Sequence, residues 1–307
     1  MSKMSIAFPL GGLRTQMERA SSRALASGAL QPIATEQWVI EDAGVRFLVR
    51  KVSSLTRKDP ERREREPSPQ PFNPFLPYEP DLFVADISDT HLALLNKFNV
   101  IDNHLLIVTR SFMHQETLLD EADFFALIAC MREFESLGFY NGGRDAGASQ
   151  IHKHLQIVPL PMVAGGPPVP IETLLELPSR RSQIHSLPEL PFQHAFRQLD
   201  FAAEQDLDVS ARELASLYRE MLAFAGLSAI ISNGELRQSG SYNLLLTRRW
   251  ILLVPRLREQ YNGVSVNALG FAGSLFVRDD GEMETFRRAG PMAVLRAVSS
   301  PSTLAHI

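Results

Sequence analysis

The residues of this chain whose types and spacing could do chemistry lie in one segment, Asn141–Gln156, NGGRDAGASQIHKHLQ. His152, His154 and Gln156 are two positions apart. In a strand, alternate residues share a face, so two imidazoles and a carboxamide line one side, with Lys153, Leu155 and Ile157 on the other. An unperturbed imidazole has a pKa of about 6.5, so it is available near pH 7 as nucleophile, base or metal ligand. Gly142, Gly143 and Gly147, just before the strand, let the backbone turn tightly and approach a ligand. The amides of such a loop, with Ser149 and the Gln150 side chain, can cradle phosphate oxygens, and Arg144 and Lys153 would add positive charge. Two other readings of H-x-H stay open on the dipeptide pattern alone. Both rings on one side is also a metal-ligand spacing, and strand histidines often simply satisfy a core. The acidic residue of the loop, Asp145, stands alone, so a three-ligand metal site would need a remote partner.

The elements that must hold this segment can be read from periodicity. Residues 14–30 carry apolar or small residues at three and four spacing (Met17, Ala20, Ala24, Leu25), which predicts a helix ending near Gly28. Residues 45–52, VRFLVRKV, alternate Val45, Phe47 and Val49 with Arg46 and Arg50, which predicts a half-buried strand. NHLLIVTR at 103–110 predicts another strand. Residues 117–137 predict the strongest helix, with Asp120 as cap and Gly138 after its end. A loop over 139–150 and a strand over 151–161 follow. Residues 210–226 predict an amphipathic helix capped by Ser210 and stopped by Gly226. GLSAIIS, SYNLLLTRR, WILLVPRL and SLFVRD predict four further strands. Helix, strands, helix, strands points to an α+β fold built on an antiparallel sheet.

Residues 57–80 are different. They hold seven of the protein's 20 prolines, and 57–66 hold five basic and four acidic residues. Proline blocks helix and central strand, and the balanced charge predicts a solvated loop rather than a nucleic-acid patch. The later stretch FNPFLPYEPDLFVADI is rich in aromatics and is expected to pack as ordered irregular chain. Residues 161–195 are again proline-rich and read as a connection, with a short helix expected over 171–177.

Composition bounds the function classes. The chain has 307 residues, 45% hydrophobic and 21% charged, with a formal net charge of −4. These are globular values, not those of a disordered or collagen-like chain. Mild acidity argues against wholesale binding to nucleic acid or anionic membrane. The one cysteine, Cys130, lies in the apolar run FFALIACM, so it is expected as a buried thiol and allows no intrachain disulfide. No run approaches 20 apolar residues, and the N-terminal residues lack a signal-peptide core, so a cytoplasmic location is expected.

GASQIHKHLQ resembles the H-x-H-x-Q signature of the nucleotidyltransferase branch of the histidine-triad and hexose-1-phosphate uridylyltransferase-like superfamily. More specifically it is similar to the diadenosine tetraphosphate phosphorylases, also called ATP adenylyltransferases. PYEPDLFVADISDTHLALLNKFNVIDNHLLIVTR, SYNLLLTRRWILLVPR and VNALGFAGSLFV also look like blocks of that family. Together they cover most of 70–160 and 240–278. The resemblance implies a histidine-triad-like antiparallel sheet with flanking helices and a double displacement. The motif's second histidine, here His154, would attack the α-phosphorus, form an adenylyl-histidine and release ATP. Phosphate would then take the adenylyl group and leave as ADP.

On that reading His154 is the nucleophile and His152 an orienting residue that helps His154 keep its Nδ1 proton. Gln156 is the discriminating residue. Related hydrolases carry a third histidine there, whereas an amide cannot titrate near neutrality and can only hydrogen-bond a phosphate oxygen. The resemblance further implies substrate-binding roles for Lys51, Asn96, Lys97, Asn141, Gly147, Ala148, Ser149, Gln150, Asn267, Ala268, Leu269, Ser274 and Arg278. Family members more often have lysine where Arg278 stands, and a different residue where Ser274 stands.

The expected partners are dinucleoside polyphosphates, inorganic phosphate, ATP and ADP, with no nucleic acid and no membrane. Magnesium is expected on the substrate, with no metal site in the protein and no organic cofactor. Lys51, Lys97, Arg144, Lys153, Arg248, Arg249 and Arg256 are candidates for local positive charge, with at most one of the adjacent Arg248 and Arg249 facing the pocket. NHLLIVTR and YNLLLTRRWILLVPR share a pattern, which suggests two pseudo-repeated halves and a monomer. The expected organisation is a catalytic half over 1–165, a connection over 166–195 and a C-terminal half over 196–307. Three rivals stand beside this reading: a uridylyltransferase of the same superfamily, a dinucleoside polyphosphate hydrolase, and a non-catalytic nucleotide sensor.

Overall fold

The computed structural model describes residues 4–52, 73–175, 183–200 and 205–301. The expected loop over 57–72 lies outside the described residues. Helix α1 (Leu13–Ser27) buries Leu13, Met17, Ala20 and Ala24 and ends at Gly28, whose φ of 77° is the left-handed turn that closes the helix. Strands β1 (Thr35–Asp42) and β2 (Val45–Val52) form an antiparallel pair. Residues 73–79 run irregularly into β3 (Phe83–Asp86), β4 (His91–Leu95) and β5 (Leu105–Thr109).

Helix α2 (Glu121–Met131) is shorter than the periodicity predicts. Its start is as expected: Asp120 accepts from the Ala122 and Asp123 amides while Asp123 accepts from the Asp120 amide, a reciprocal cap. Its end is not. Residues 136–142 leave the helix and form β6 (Ser136–Gly142), a fully buried strand where a helix end and a loop were expected. Gly138 reads as a stop signal in sequence, but its role is contact. A Cβ there would stand 2.9 Å from Met131 Sδ and 3.0 Å from Leu127, so glycine lets α2 pack directly on β6.

Strand β7 (His154–Pro159) starts at His154, and His152 makes an isolated bridge to His114. The expected helix over 171–177 is a single 3-10 turn, Pro170–Thr173. Strand β8 (Ala195–Gln198) precedes α3 (Leu207–Phe224). The cap of α3 is Asp206, which accepts from the Asp208 and Val209 amides; Ser210 lies one turn inside and donates its hydroxyl to the Asp206 carbonyl. Strands β9 (Ala229–Ser232) and β10 (Glu235–Gln238) form a separate two-stranded ribbon, and Arg237 of β10 bridges Thr117.

Strands β11 (Tyr242–Leu246) and β12 (Trp250–Pro255) form a hairpin, with Arg248 and Arg249 in its turn rather than in a strand. A small ribbon, β13 (Gln260–Tyr261) and β14 (Val264–Ser265), leads to α4 (Ala268–Phe271) and β15 (Ser274–Val277). Two C-terminal helices, α5 (Asp280–Ala289) and α6 (Pro291–Val298), complete the described chain.

One antiparallel sheet organises the molecule, in the order β3-β4-β5-β7-β6-β11-β12-β8. Its strands come from both sides of the 166–195 connection. Side chains of one face, among them Leu155 and Ile157, meet α1, α2 and α3. The other face carries Leu137, Phe139, Val158, Leu252 and Val254 under a three-stranded sheet of β1, β2 and β15, the last parallel to β2.

The pseudo-repeat exists, but it relates different strands from those the sequence pattern suggested. α2-β6-β7 corresponds to α3-β11-β12. Tyr140–Asn141 and Tyr242–Asn243 take equivalent places, and β6 and β11 meet at the centre of the sheet with Asn141 opposite Asn243. Register then places Val254 where β7 has His154, Leu252 where it has His152 and Arg256 where it has Gln156. The sequence likeness followed apolar strand composition, which any central strand shares.

Candidate active site

The site lies on the face of the sheet opposite α2 and α3, where two apolar clusters stop short of each other. One cluster comprises Phe75, Leu92, Leu94 and Val108; the other includes Leu137, Phe139 and Val158. Between them lie His104, Asn141, His154 and Gln156, all buried. Alternation accounts for this grouping. Val108 pairs with His154, and Leu106 and Phe139 both pair with Gln156, so their side chains share one face.

The two motif histidines are held differently. Both ring nitrogens of His152 are occupied: Nδ1 is 3.0 Å from the Asn73 amide nitrogen, and Nε2 is 2.9 Å from both the hydroxyl and the carbonyl oxygen of Thr109. His154 donates Nδ1–H to the His152 carbonyl oxygen at 2.8 Å. Its Nε2 has no hydrogen-bond partner among the described residues. The bond at Nδ1 fixes the tautomer and leaves the Nε2 lone pair free. Burial pushes the His154 pKa down to about 4, although the carbonyl bond opposes the shift, so the ring is neutral near pH 7. The orienting contact comes from the backbone of His152, while its own ring is tied to Asn73 and Thr109. Phe75 covers both rings at centroid distances of 5.5 and 5.3 Å.

Gln156 is oriented by a chain of bonds. Asn96 Nδ2 donates to His104 Nδ1 at 3.1 Å, and His104 Nε2 lies 2.8 Å from Gln156 Oε1. Burial pushes the His104 pKa down to about 4, so its neutral ring carries one proton, on Nε2. That proton claims the Gln156 oxygen and turns the Gln156 NH2 away from His104. Asn96 thus reaches the site through His104.

Gln115 shapes the ground beside His154. If the β6–β7 register continued, Asn141 would pair with His154, but the ladder ends at Phe139 and Gln156. The Gln115 side chain sits in the gap. Its Nε2 donates to the Asn141 and His154 carbonyls at 3.0 and 3.3 Å, and its Oε1 accepts from the His154 amide at 2.9 Å. The amide satisfies the backbone groups that the open ladder would leave unpaired.

The glycine loop meets the C-terminal half here. Asn141 Oδ1 accepts from the Ala268 amide and from Asn243 Nδ2, both at 2.9 Å. Asn267 caps α4 by accepting from the Leu269 amide at 3.0 Å. Gly147, with φ 86°, lies against it so closely that a Cβ would stand 2.9 Å from Asn267 Cβ. The Ala148 amide closes the loop onto the Gly143 carbonyl. Ser149 is exposed and Gln150 half-buried at the loop's exit. His152, His154, Gln156, Asn141, Gly147, Ala148, Asn267, Ala268 and Leu269 are thus brought together, with Asn96 one residue removed.

Lys97 pairs with Glu79 at 2.8 Å on a half-exposed edge. Lys51, Ser274 and Arg278 belong to the three-stranded sheet and its exit, each with its own partner. Lys51 pairs with Asp280 at 2.5 Å, Ser274 is buried against Arg50, and Arg278 bonds Glu282.

Of the other basic candidates, Lys153 does not face the site. It is fully buried on the opposite face in an ion pair with Asp123, which also bonds His91 at 3.1 Å. Burial alone would raise the Asp123 pKa, but the Lys153 ammonium and the His91 bond hold it well below the usual carboxylate range. Arg248 and Arg249 pair with Glu135 and Glu172 from a turn at the far end of the hairpin. Asn73, His104, Gln115 and Asn243 were missed in sequence. Only His104 carried a signal, sharing alternation parity with Leu106 and Val108.

The chain matches two family models in succession. Residues 3–177 match the Ap4A phosphorylase N-terminal domain, and residues 188–301 match the ATP adenylyltransferase C-terminal domain. Among curated proteins, the chain is 29% identical over 284 residues to Protein APA1 of Saccharomyces cerevisiae, covering 83% of each. It is 30% identical over 212 residues to diadenosine 5',5'''-P1,P4-tetraphosphate phosphorylase 2 of the same yeast, covering 62% of this chain and 63% of that one. Its fold is similar to crystal structures of yeast Ap4A phosphorylase Apa2. The complex with AMP superposes with a TM-score of 0.75 at 22% identity, covering 99% of this chain and 100% of that one. Another Apa2 structure gives 0.73 at 25% identity, covering 95% and 98%. With its motif strand, glycine loop and two-part match in one continuous sheet, the chain belongs to the Ap4A phosphorylase family.

Proposed function

We propose that this chain carries out the reversible phosphorolysis of diadenosine tetraphosphate to ATP and ADP through an adenylyl group on His154. One observation carries the assignment of the nucleophile: of the two motif imidazoles, only His154 keeps a ring nitrogen with no partner among the described residues, with the proton fixed on the other. In the first displacement the Nε2 lone pair attacks the α-phosphorus. The bond from that phosphorus to its bridging oxygen breaks, and ATP leaves with the electron pair. In the second, an oxygen of inorganic phosphate attacks the same phosphorus. The P–N bond breaks, ADP leaves, and His154 regains its lone pair. ATP is a stable anionic leaving group, so the site needs oxygen-binding donors more than a proton donor. The Gln156 amide, its oxygen already taken by His104, supplies such a donor.

A magnesium ion carried on the polyphosphate belongs to the same proposal. Among the described residues no group of three or more His, Cys, Asp or Glu could hold a metal, so the substrate's own oxygens would hold it. A monomer is the proposed state, because both pseudo-repeated halves share one sheet; sedimentation as an obligate dimer would contradict it. A cytoplasmic setting goes with the same reading, in line with the single buried thiol of Cys130. No helix of the described residues is long and apolar enough to cross a membrane.

The test is product analysis with diadenosine tetraphosphate and magnesium, with and without phosphate. ATP and ADP formed only when phosphate is present is the expected result. ATP and AMP formed without phosphate would make water the acceptor and overturn the reading of Gln156. No turnover in either case would favour the sensor or uridylyl alternatives.

A further inference from the structure

The second half has no histidine in register with His154, yet its counterpart of Gln156 remains tied to the site. Arg256 is buried, and its guanidinium donates to Asn243 Oδ1 and to the Val298 and Arg258 carbonyls. A guanidinium only donates, so Asn243 must present its oxygen to Arg256. Its NH2 then faces the other way and donates to Asn141 Oδ1 and to the Ala146 carbonyl, both at 2.9 Å. Asn141 Oδ1 receives a second bond from the Ala268 amide at 2.9 Å. With its oxygen doubly claimed, Asn141 has one amide orientation left, and its NH2 has no partner among the described residues. Asn141 shares a face with His154 and would be its cross-strand neighbour.

We propose that Arg256 and Asn243 are positioning residues that act through Asn141, fixing its NH2 as a donor to a non-bridging oxygen of the phosphoryl group at His154. The inference rests on the nucleotidyl-transfer reading above. It assigns a role to the half without the nucleophile: its hairpin supplies the direction of a hydrogen bond.

Calorimetric titration with AMP and with adenosine, which lacks the phosphoryl group, tests this. Asn243→Asp is isosteric and still accepts from Arg256, but it cannot donate to Asn141. It would draw the Asn141 NH2 toward itself. The expected result is at least a tenfold loss of AMP affinity with less than a twofold change for adenosine. In an Asn141→Ala background the same substitution should change neither affinity further, which separates reorientation of Asn141 from simple charge repulsion. Equal losses for AMP and adenosine, an unchanged AMP affinity, or full additivity with Asn141→Ala would each overturn the proposal.

Should Asn243→Asp not fold, Arg256→Gln releases the constraint on the Asn243 amide. It should weaken AMP about threefold relative to adenosine, again only when Asn141 is present. If the unaltered chain binds AMP but performs no phosphorolysis, the functional reading fails while the AMP and adenosine comparison still decides this inference. If it binds neither, both fail.

Discussion

The β6–β7 pair and the β11–β12 pair are built on one plan and differ in what the plan exposes. Each follows a helix, each opens or closes on a Tyr–Asn step, and the two asparagines face each other across the centre of the sheet. In the second pair Asn243 and Val254 remain in the ladder, and Val254 is wholly buried. In the first pair the corresponding Asn141 and His154 leave the ladder, and the Gln115 side chain takes over their backbone bonds. The difference teaches that a histidine at the right register is not sufficient. The strands must also part, and a remote side chain must pay the hydrogen bonds that parting costs.

The sharpest contrast comes from truncating the two equivalent residues. His154→Ala should abolish phosphorolysis, with a loss of about 10⁴-fold or more, as for an enzyme deprived of its nucleophile. Measured with diadenosine tetraphosphate and phosphate, residual turnover above a hundredth of the original would remove His154 from that role.

The strand backs differ next. Lys153 pairs with Asp123 where the second half has the buried Leu253. Lys153→Leu, which copies the second half, leaves the buried Asp123 carboxylate without its ammonium partner and should cost about 3–5 kcal/mol in denaturant unfolding. Replacing Asp123 by Leu as well should recover at least half of that. If the single substitution costs under about 1 kcal/mol, the ion pair does not anchor the motif strand.

pH separates the halves too, since His154 titrates and Val254 does not. Folding lowers the His154 pKa from 6.5 to about 4. Between these values the unfolded chain binds the proton and the folded chain does not. The stability from keeping His154 neutral is therefore complete above pH 6.5 and is lost as pH falls toward 4. The loss amounts to about 3 kcal/mol over that span, and His104 and His194, also lowered to about 4, act in the same direction. His154→Phe should flatten that part of the stability profile measured by denaturant titration; an unchanged slope would contradict the shift.

The smallest effect is expected at Val254. Val254→Ala should cost about 2 kcal/mol of stability through a cavity, with turnover at low temperature kept within about twofold. A large loss of turnover without a stability change would mean that the second half contributes more than packing at this register.

Much of this was legible in the sequence, for a definite reason. The H-x-H-x-Q spacing needs only the two-residue period of a strand, so the shared face of His154 and Gln156 and the opposite placement of Lys153 follow from order along the chain. The Asp120 cap of α2 and the Gly28 end of α1 are likewise local. The readings that changed depended on what packs where. Gly138 looks like a helix stop until Leu127 and Met131 are seen against it. What Lys153 meets on its own face, the Asp123 carboxylate, is seen only once α2 packs behind the strand.

The amino-acid sequence by itself determined which residue types stand two apart on one strand, where glycine lets the loop turn, and hence what class of chemistry this protein can do. Only the tertiary structure decided which imidazole keeps a nitrogen with no partner among the described residues. Asn73, Thr109, His104, Gln115 and Asn243 lie between 39 and 102 residues from the motif groups they hold. A hydrogen bond depends on distance and direction in space, and sequence separation specifies neither until the sheet has set the register of its strands.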